Sequence, residues 1–453
     1  MDGNHTRTEA VDGAGLGLRA ESVEDEVLGG RVIHYEGGRP EARTVVLIHG
    51  IGEGGARDWE AVIPQLADDY HLLALDLPGF GLSDQGNRHY HMDAYVEVLN
   101  GLIRRRANGP VVLVGHSMGG AVALRFAGTY PDDVDAVMVA SVPGLLNPSS
   151  YLEFLRGGHR FVEGDPPGRS LMWLPAEGSV GAFTSRVTRR ILRHVPSPGG
   201  ILDSSSLRQW ILRGDPRQIA GLSLAETDFS RTMVDIRAPV SVLWGTEDPI
   251  APLRTAILLA SLLEPRDLTM LTGVGHSVMS EAPDAYADWL LARLSASEPR
   301  PAPWPRAPDA PGTGQARCEG EKGYYLTGAW DTIDLRGCRD ALLDRVSARQ
   351  INIENSTVHL LDATVGGEDV AYPLLARKSQ VMVTAGHIQG DVAMRLGAGH
   401  IDVAGTRIVG REEAIRALPG AAAELSFSLT TLKSGHRHFR RHGLFTLEPG
   451  QVL

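Results

Sequence analysis

Cysteine is almost missing from this chain of 453 residues, which has only Cys318 and Cys338. Two thiols cannot build a disulfide framework, and a cytosolic protein would keep both reduced; a single bridge is open to them only in an oxidising compartment. Apolar runs long enough to span a bilayer are also absent. The first residues, MDGNHTRTEAVDGAGLGLRAESVEDEV, lack the basic-then-apolar order of a secretory leader. Acidic and glycine-containing, residues 1–24 are expected to form a poorly ordered tail. Positive charge is in deficit, 44 Lys+Arg against 55 Asp+Glu for a net of −11, so a surface built for nucleic acid or an anionic membrane is not expected. A soluble, cytoplasmic protein with no transmembrane segment is the simplest expectation, and the length calls for two or three cores.

What the sequence does have begins at Pro110–Gly120, PVVLVGHSMGG. Val111 to Val114 form a short β-branched run of the kind buried on both faces of a parallel sheet. Gly115-His116-Ser117-Met118-Gly119 then fits G-x-S-x-G, a sharp strand-to-helix turn with the serine at its tip and small residues wherever strand and helix approach. The following helix would aim its N-terminal N–H groups at the serine, favouring an oxyanion there.

Upstream, Arg43–Ile48 reads as a buried strand ending in His49-Gly50-Ile51-Gly52, a glycine loop with room for a substrate carbonyl. Trp59–Ala67 is expected as an amphipathic helix, His71–Leu77 as a strand, Pro78–Asp84 as a turn, and Tyr95–Arg106 as a helix. Val134–Val142 is again strand-like, and this alternation predicts an α/β domain with a doubly wound, mostly parallel sheet. It stops at Pro143. Residues 143–237 are irregular, with helix candidates at Tyr151–Leu155, Phe183–Leu192 and Leu207–Leu212, and are expected to form a cap over the serine. Arg189, Arg190, Arg193, Arg208 and Arg213 within it fit a solvated helical surface better than an anion site. Val240–Gly245 resumes the sheet and leads to Glu247-Asp248-Pro249; Leu268–Thr272 leads to Gly275-His276; a helix at Tyr286–Leu294 follows.

Serine, acid and histidine thus occur in that order, each after a strand. A serine hydroxyl needs a base, and His276 suits that role because imidazole titrates near neutral pH. Asp248 is preferred to its neighbour Glu247 as the acid that orients the histidine. His49 and His116, inside the motifs, are assigned to bracing loops.

Arg43 to about Leu294 resembles the α/β-hydrolase fold in its capped branch, through HG-x-G, GHSMGG, G-x-x-D-P and GH. The resemblance implies a Ser117-Asp248-His276 triad, an oxyanion hole from the backbone of Ile51 and Met118, and no cofactor or metal. It implies a serine esterase or lipase-like enzyme acting on a small-molecule or lipid ester. Dehalogenases and epoxide hydrolases of the fold use an aspartate nucleophile, whereas position 117 is serine. Carbon–carbon bond hydrolases resemble the chain at HG-x-G and S-M-G-G, but usually carry an aromatic residue close after the histidine, where this chain has Ser277-Val278.

Residues 25–297 are therefore expected as the hydrolase domain and 298–317, with six prolines from Pro299 to Pro311, as a semi-rigid linker. Residues 318–453 lose the alternation and gain a repeat. Ala341/Leu343/Ala348, Val358/Leu360/Val365, Val381/Val383/Ile388, Ile401/Val403/Ile408 and Leu425/Phe427/Leu432 recur at spacings of 17, 23, 20 and 24. Coils of about twenty residues predict an all-β solenoid, a right-handed parallel β-helix by its variable spacing, with a small β-sandwich as alternative. The repeat would bind a polymer, a partner protein or itself. If it alone carried the function, the chain would be a noncatalytic scaffold. His436, His438 and His442 have metal-like spacing in a basic stretch that fits a solvated surface better. Cleaving the chain near Glu298 is expected to leave a folded, active first domain.

Overall fold

The computed structural model describes residues 9–11, 15–151, 199–263, 267–295, 307–420 and 422–453. Two compact units form. The first comprises 1–144, 195–256 and 263–303, and the second 145–194, 257–262 and 304–453.

The first unit holds a nine-stranded sheet. Its strands are β1 (Glu9–Val11), β2 (Arg19–Glu24), β3 (Arg31–Gly38), β4 (Thr44–Ile48), β5 (His71–Asp76), β6 (Val111–His116), β7 (Val134–Ala140), β8 (Val240–Gly245) and β9 (Asp267–Leu271). They lie in the order β1-β2-β3-β5-β4-β6-β7-β8-β9. Pairing is parallel from β5 to β9 and antiparallel from β1 to β5. Every residue of β4, β5, β6 and β8 is buried, which is why these strands read as mainly apolar stretches rather than alternating ones. The sheet order reverses at β5-β4-β6, so the loops leaving β4 and β6 diverge and leave a crevice at the strands' carboxyl ends. Its core includes Trp59, Tyr286, Trp289, Val112, Val114 and Leu243.

Two expectations are corrected here. Arg19–Glu24, expected within an unordered tail, pairs antiparallel with β3 along its whole length. The signal was the alternation Leu16, Leu18, Ala20, each buried between more exposed neighbours, and the glycines and acids around it obscured that period of two. In place of one helix over Trp59–Ala67 there are a 3₁₀ turn, Gly55–Trp59, and a single α turn, Ile63–Leu66. The helix before the serine strand runs Met92–Arg106, capped by His91, which accepts from the Ala94 N–H, with Arg104, Arg105 and Arg106 at its carboxyl end. The helix candidates at 151–155 and 183–192 lie, apart from Tyr151, outside the described residues, as do Arg189, Arg190 and Arg193. Helix Ser205–Leu212 is present.

The second unit is an all-β domain of twelve strands. They are β10 (Gln315–Glu319), β11 (Tyr325–Arg336), β12 (Ala341–Glu354), β13 (Thr357–Leu361), β14 (Thr364–Gly366), β15 (Leu374–Arg377), β16 (Ser379–Thr384), β17 (His387–Leu396), β18 (Gly399–Ala404), β19 (Arg407–Ala417), β20 (Ala423–Ser434) and β21 (Arg437–Leu447). The strands pair in parallel except for β20 with β21. Pairing closes on itself through β12-β13-β16-β18-β20-β19-β17-β14, giving a barrel-like ring of eight strands. This parallel pairing, closed into one ring, is not that of the two packed sheets of a small β-sandwich, the alternative expectation.

The repeat positions are the register. Leu343, Leu360, Val383, Val403 and Phe427 are successive partners, and so are Ala348, Val365, Ile388, Ile408 and Leu432. All ten are buried in one core. A further ladder, Ile351, Leu374, Met394 and Ile415, was not visible as a repeat because eight residues separate Val365 from Leu374 but five separate Ile388 from Met394. Arg345, Asp362, Ala385, Gly405 and Leu429 all have φ between 45° and 58°. They recur at the same 17, 23, 20 and 24 spacing, each turning the corner from the first ladder to the second. Cys318 and Cys338 are joined by a disulfide, Cα–Cα 6.3 Å. Within the same unit, the Asn147 N–H donates to Ser428 Oγ at 2.8 Å, and its side-chain amide donates to Phe427 O and Ser428 Oγ at 3.2 and 3.0 Å.

Candidate active site

Only one residue separates the end of β6 from helix Met118–Thr129, so that residue must reverse the chain. Ser117 does so with φ 53° and ψ −125°, a conformation L-residues rarely adopt. The glycines around it are required by contact. A Cβ on Gly115 would lie 2.5 Å from Gly119 O, and one on Gly119 would lie 2.1 Å from Ile48 O. One on Gly50 would lie 2.8 Å from Ser117 Cβ, so the turn after β4 and the serine turn touch only because Gly50 has no side chain. Met118 opens the helix, so its N–H has no intrahelical acceptor and remains directed out of the helix end, as does the macrodipole's positive end.

The loop from His49 is held by two buried groups. Leu77 N–H donates to His49 Nε2 at 2.9 Å, which leaves Nδ1–H to donate to Gly50 O at 2.7 Å; both ring nitrogens are spent on backbone. Asp76, the last residue of β5, accepts from Ala56 N–H, Leu82 N–H and Tyr35 Oη–H at 2.7, 2.9 and 2.9 Å. Burial and the Asp76 carboxylate push the Tyr35 phenol up, so it stays a donor. Asp76 escaped the sequence reading because a carboxylate ending an apolar strand has no motif of its own.

Asp248 follows β8 and is 1% exposed, with Oδ1 accepting from Ile250 and Ala251 N–H at 2.9 and 2.8 Å. His276 Nδ1 lies 2.9 and 2.8 Å from its two carboxylate oxygens, and His276 Nε2 lies 3.0 Å from Ser117 Oγ. Glu247 faces solvent; its backbone N–H donates to Val274 O at 2.9 Å. Ser117, His276 and Asp248 are thus brought together, and Glu247 is not.

His116 packs its ring against that of His276, centroids 4.9 Å apart, and donates from Nε2 to His276 O at 2.9 Å. Burial, and then the neighbouring His276, push it down to about 4, so it is neutral at physiological pH. Glu281 was missed from sequence: its carboxylate accepts from Gly275 N–H at 2.7 Å and Ser277 N–H at 3.0 Å. His438 and His442 lie on β21, with His436 in the turn before it, and among the described residues no group of three or more His, Cys, Asp or Glu could hold a metal ion.

The alpha/beta hydrolase family is matched over residues 45–289, more than half of the chain and a span that includes Ser117, Asp248 and His276. The chain belongs to the alpha/beta hydrolase family. An uncharacterized protein of Mycobacterium tuberculosis (strain ATCC 25618 / H37Rv) is 27% identical over 273 residues, covering 56% of this chain and 76% of the relative. The 2-hydroxy-6-oxo-6-(2'-aminophenyl)hexa-2,4-dienoic acid hydrolase of Metapseudomonas resinovorans is 28% identical over 267 residues, 56% of this chain and 85% of the relative. Among solved structures, the esterase RhEst1 from Rhodococcus sp. ECU1013 aligns over 62% of this chain and all of its own, with 18% identity and a TM-score of 0.43. Among the described residues, no helix is long and apolar enough to cross a membrane.

Proposed function

We propose that this alpha/beta hydrolase cleaves carboxylic esters through an acyl-enzyme on Ser117. The reading rests on one observation, the unbroken relay from Ser117 Oγ through the His276 ring to the buried Asp248 carboxylate. Ser117 Oγ attacks the ester carbonyl carbon while His276 Nε2 takes its proton. Asp248 fixes the tautomer that presents Nε2 as acceptor and stabilises the imidazolium. The carbonyl oxygen becomes an oxyanion, received by the backbone N–H groups of Ile51 and Met118; each such donor is worth about 3 kcal/mol. His276 returns the proton to the departing alkoxide, leaving the acyl group on Ser117. Water then repeats the sequence, with His276 as base, releasing the acid and restoring the serine.

Labelling of folded protein by a fluorophosphonate, with the adduct mapped to Ser117, together with hydrolysis of short p-nitrophenyl esters, is the expected result. Absence of both would refute the enzyme reading and leave the noncatalytic scaffold. A second reading, carbon–carbon bond hydrolysis, is favoured by relatives that bear such names. Turnover of a 2-hydroxy-6-oxo-dienoate in preference to esters would establish it. Ester cleavage is preferred because Ser277-Val278 stands where those enzymes usually carry an aromatic residue.

For the second unit, the coil-to-coil parallel register and the recurring left-handed corners support a parallel β-helix. Its proposed role is to bind a polymer, a partner protein or another copy, so its effect belongs to assays with polymeric or aggregated substrate.

A further inference from the structure

We infer that Glu281 and His116 together hold the main chain of His276 in register with Ser117, as positioning residues for the serine chemistry proposed above, on which this inference rests. His276 lies in a loop between β9 and the short helix Val278–Glu281, flanked by Gly275. The ring bond to Asp248 fixes its orientation, but a ring held only at one nitrogen pivots with its backbone, and the 3.0 Å approach to Ser117 tolerates little movement.

That backbone is tied at three successive residues by side chains. The Gly275 and Ser277 N–H groups, one on each side of His276, both donate to the Glu281 carboxylate at 2.7 and 3.0 Å. Between them, the His276 carbonyl accepts from His116 Nε2–H at 2.9 Å. The carboxylate sits so close beneath Gly275 that a Cβ there would lie 2.8 Å from Glu281 Oε2. His116 reaches the carbonyl from the residue before the serine, so one contact links nucleophile and base through adjacent backbone.

The cost of this contact is visible in His116 itself. With Nε2 donating, Nδ1 is a bare acceptor, and it is buried without a partner among the described residues. An unmet buried acceptor is unfavourable, so the donation from Nε2 to the His276 carbonyl is kept at a cost to the fold. The simpler account of Glu281 is a cap on the short helix it ends. A cap affects stability; a positioning group affects kcat of the folded enzyme.

The test uses the full chain with Glu281→Ala, Glu281→Gln, His116→Ala and His116→Gln. It measures kcat and KM on a short p-nitrophenyl ester, the rate of fluorophosphonate labelling, and thermal unfolding. Both alanine variants are expected to lose about tenfold to a hundredfold in kcat and in labelling rate, with KM nearly unchanged. His116→Gln, whose amide still donates to the His276 carbonyl, should recover most of the loss. Glu281→Gln keeps one accepting oxygen and should fall between wild type and Glu281→Ala. Lower melting temperature with unaltered kcat would overturn the inference, as would a His116→Gln variant no better than His116→Ala. Wild-type protein that is never labelled at Ser117 would overturn the serine reading and this inference with it; labelled wild type with equally reactive variants would overturn the inference alone.

Discussion

Both units are built largely from parallel strands, yet one gathers chemistry and the other spreads contact. In the first unit, crossovers carry the chain out of sheet order at β5-β4-β6, and the loops of β4, β6, β8 and β9 bring Gly50, Ser117, Asp248 and His276 to one edge. In the second, each ladder runs through successive parallel strands without reversing, so equivalent apolar positions stack: Leu343 on Leu360, Val383 on Val403, Val403 on Phe427. A reversal in strand order makes a crevice. A stack without one makes faces.

The sharpest way to break the comparison is to remove the crevice's chemistry. Ser117→Ala and His276→Ala should each lower kcat by up to about a million-fold, with Asp248→Ala losing less. Glu247→Ala should remain near wild type, and steady-state kinetics on a p-nitrophenyl ester reads all four. If Glu247→Ala were the disabling change, the assignment of the acid would be wrong.

Shortening the chain tests whether the units are independent. Sequence composition suggests a clean cut near Glu298, but residues of the units alternate along the chain. A chain ending at Glu298 keeps Leu145–Tyr151 and 257–262 while losing the strands they are grouped with. It should therefore unfold at lower denaturant and aggregate more than the full chain. A fully soluble, equally stable and equally active fragment would restore the sequence-based expectation.

Within the stack, Phe427→Ala should cost about 3–5 kcal/mol, since it empties a fully buried aromatic site on two ladders' shared core. Denaturant unfolding monitored on β-sheet signal measures it. A loss under about 1 kcal/mol would mean that the stack relaxes around the gap.

Acid should weaken the first unit through two histidines buried as neutral rings. His34 is pushed down to about 3 by burial and then by Arg105 and Arg106, and His116 to about 4. Below pH ~6.5 the unfolded chain takes up protons that these folded rings refuse. Their effect on stability is therefore absent above that pH and grows as pH falls toward the folded values, by at most about 1.4 kcal/mol per pH unit for each ring. Urea midpoints at pH 7 and 5, for wild type and His34→Phe, should show a smaller acid loss in the variant. The smallest effect concerns the stack's corners. Ala385→Gly should stabilise by up to about 1 kcal/mol, because Ala385 pays for a φ of 57° that glycine adopts freely.

How much of this was legible depended on whether the cause was local. The serine turn was legible because strand, turn and helix are adjacent in sequence and sterics demand Gly115 and Gly119. The stack's register was legible because the apolar positions Val358, Val381 and Ile401 recur at spacings of 23 and 20 that match the strand pairing. The left-handed corners were not, since only Gly405 of the five is a glycine, the residue type that signals a positive φ. Glu281 and Asp76 were not, because each acts on backbone N–H groups that carry no sequence identity. Leu16–Glu24 was hidden by composition: charge and glycine averaged over the tail outweighed an alternation only a few residues long.

The hydrogen bond from Asn147 to Ser428 spans 281 residues. On a ribosome adding roughly 5–20 residues per second, Asn147 would emerge about 15–60 seconds before its acceptor exists. During that interval Asn147 and Ser149 lack the Ser426–Ser428 stretch of β20 that they bond in the finished fold, although the serine strand and its neighbours β4 and β7 are already made. Any dependence on a chaperone is expected to fall on the nascent protein and to end once β20 has left the exit tunnel.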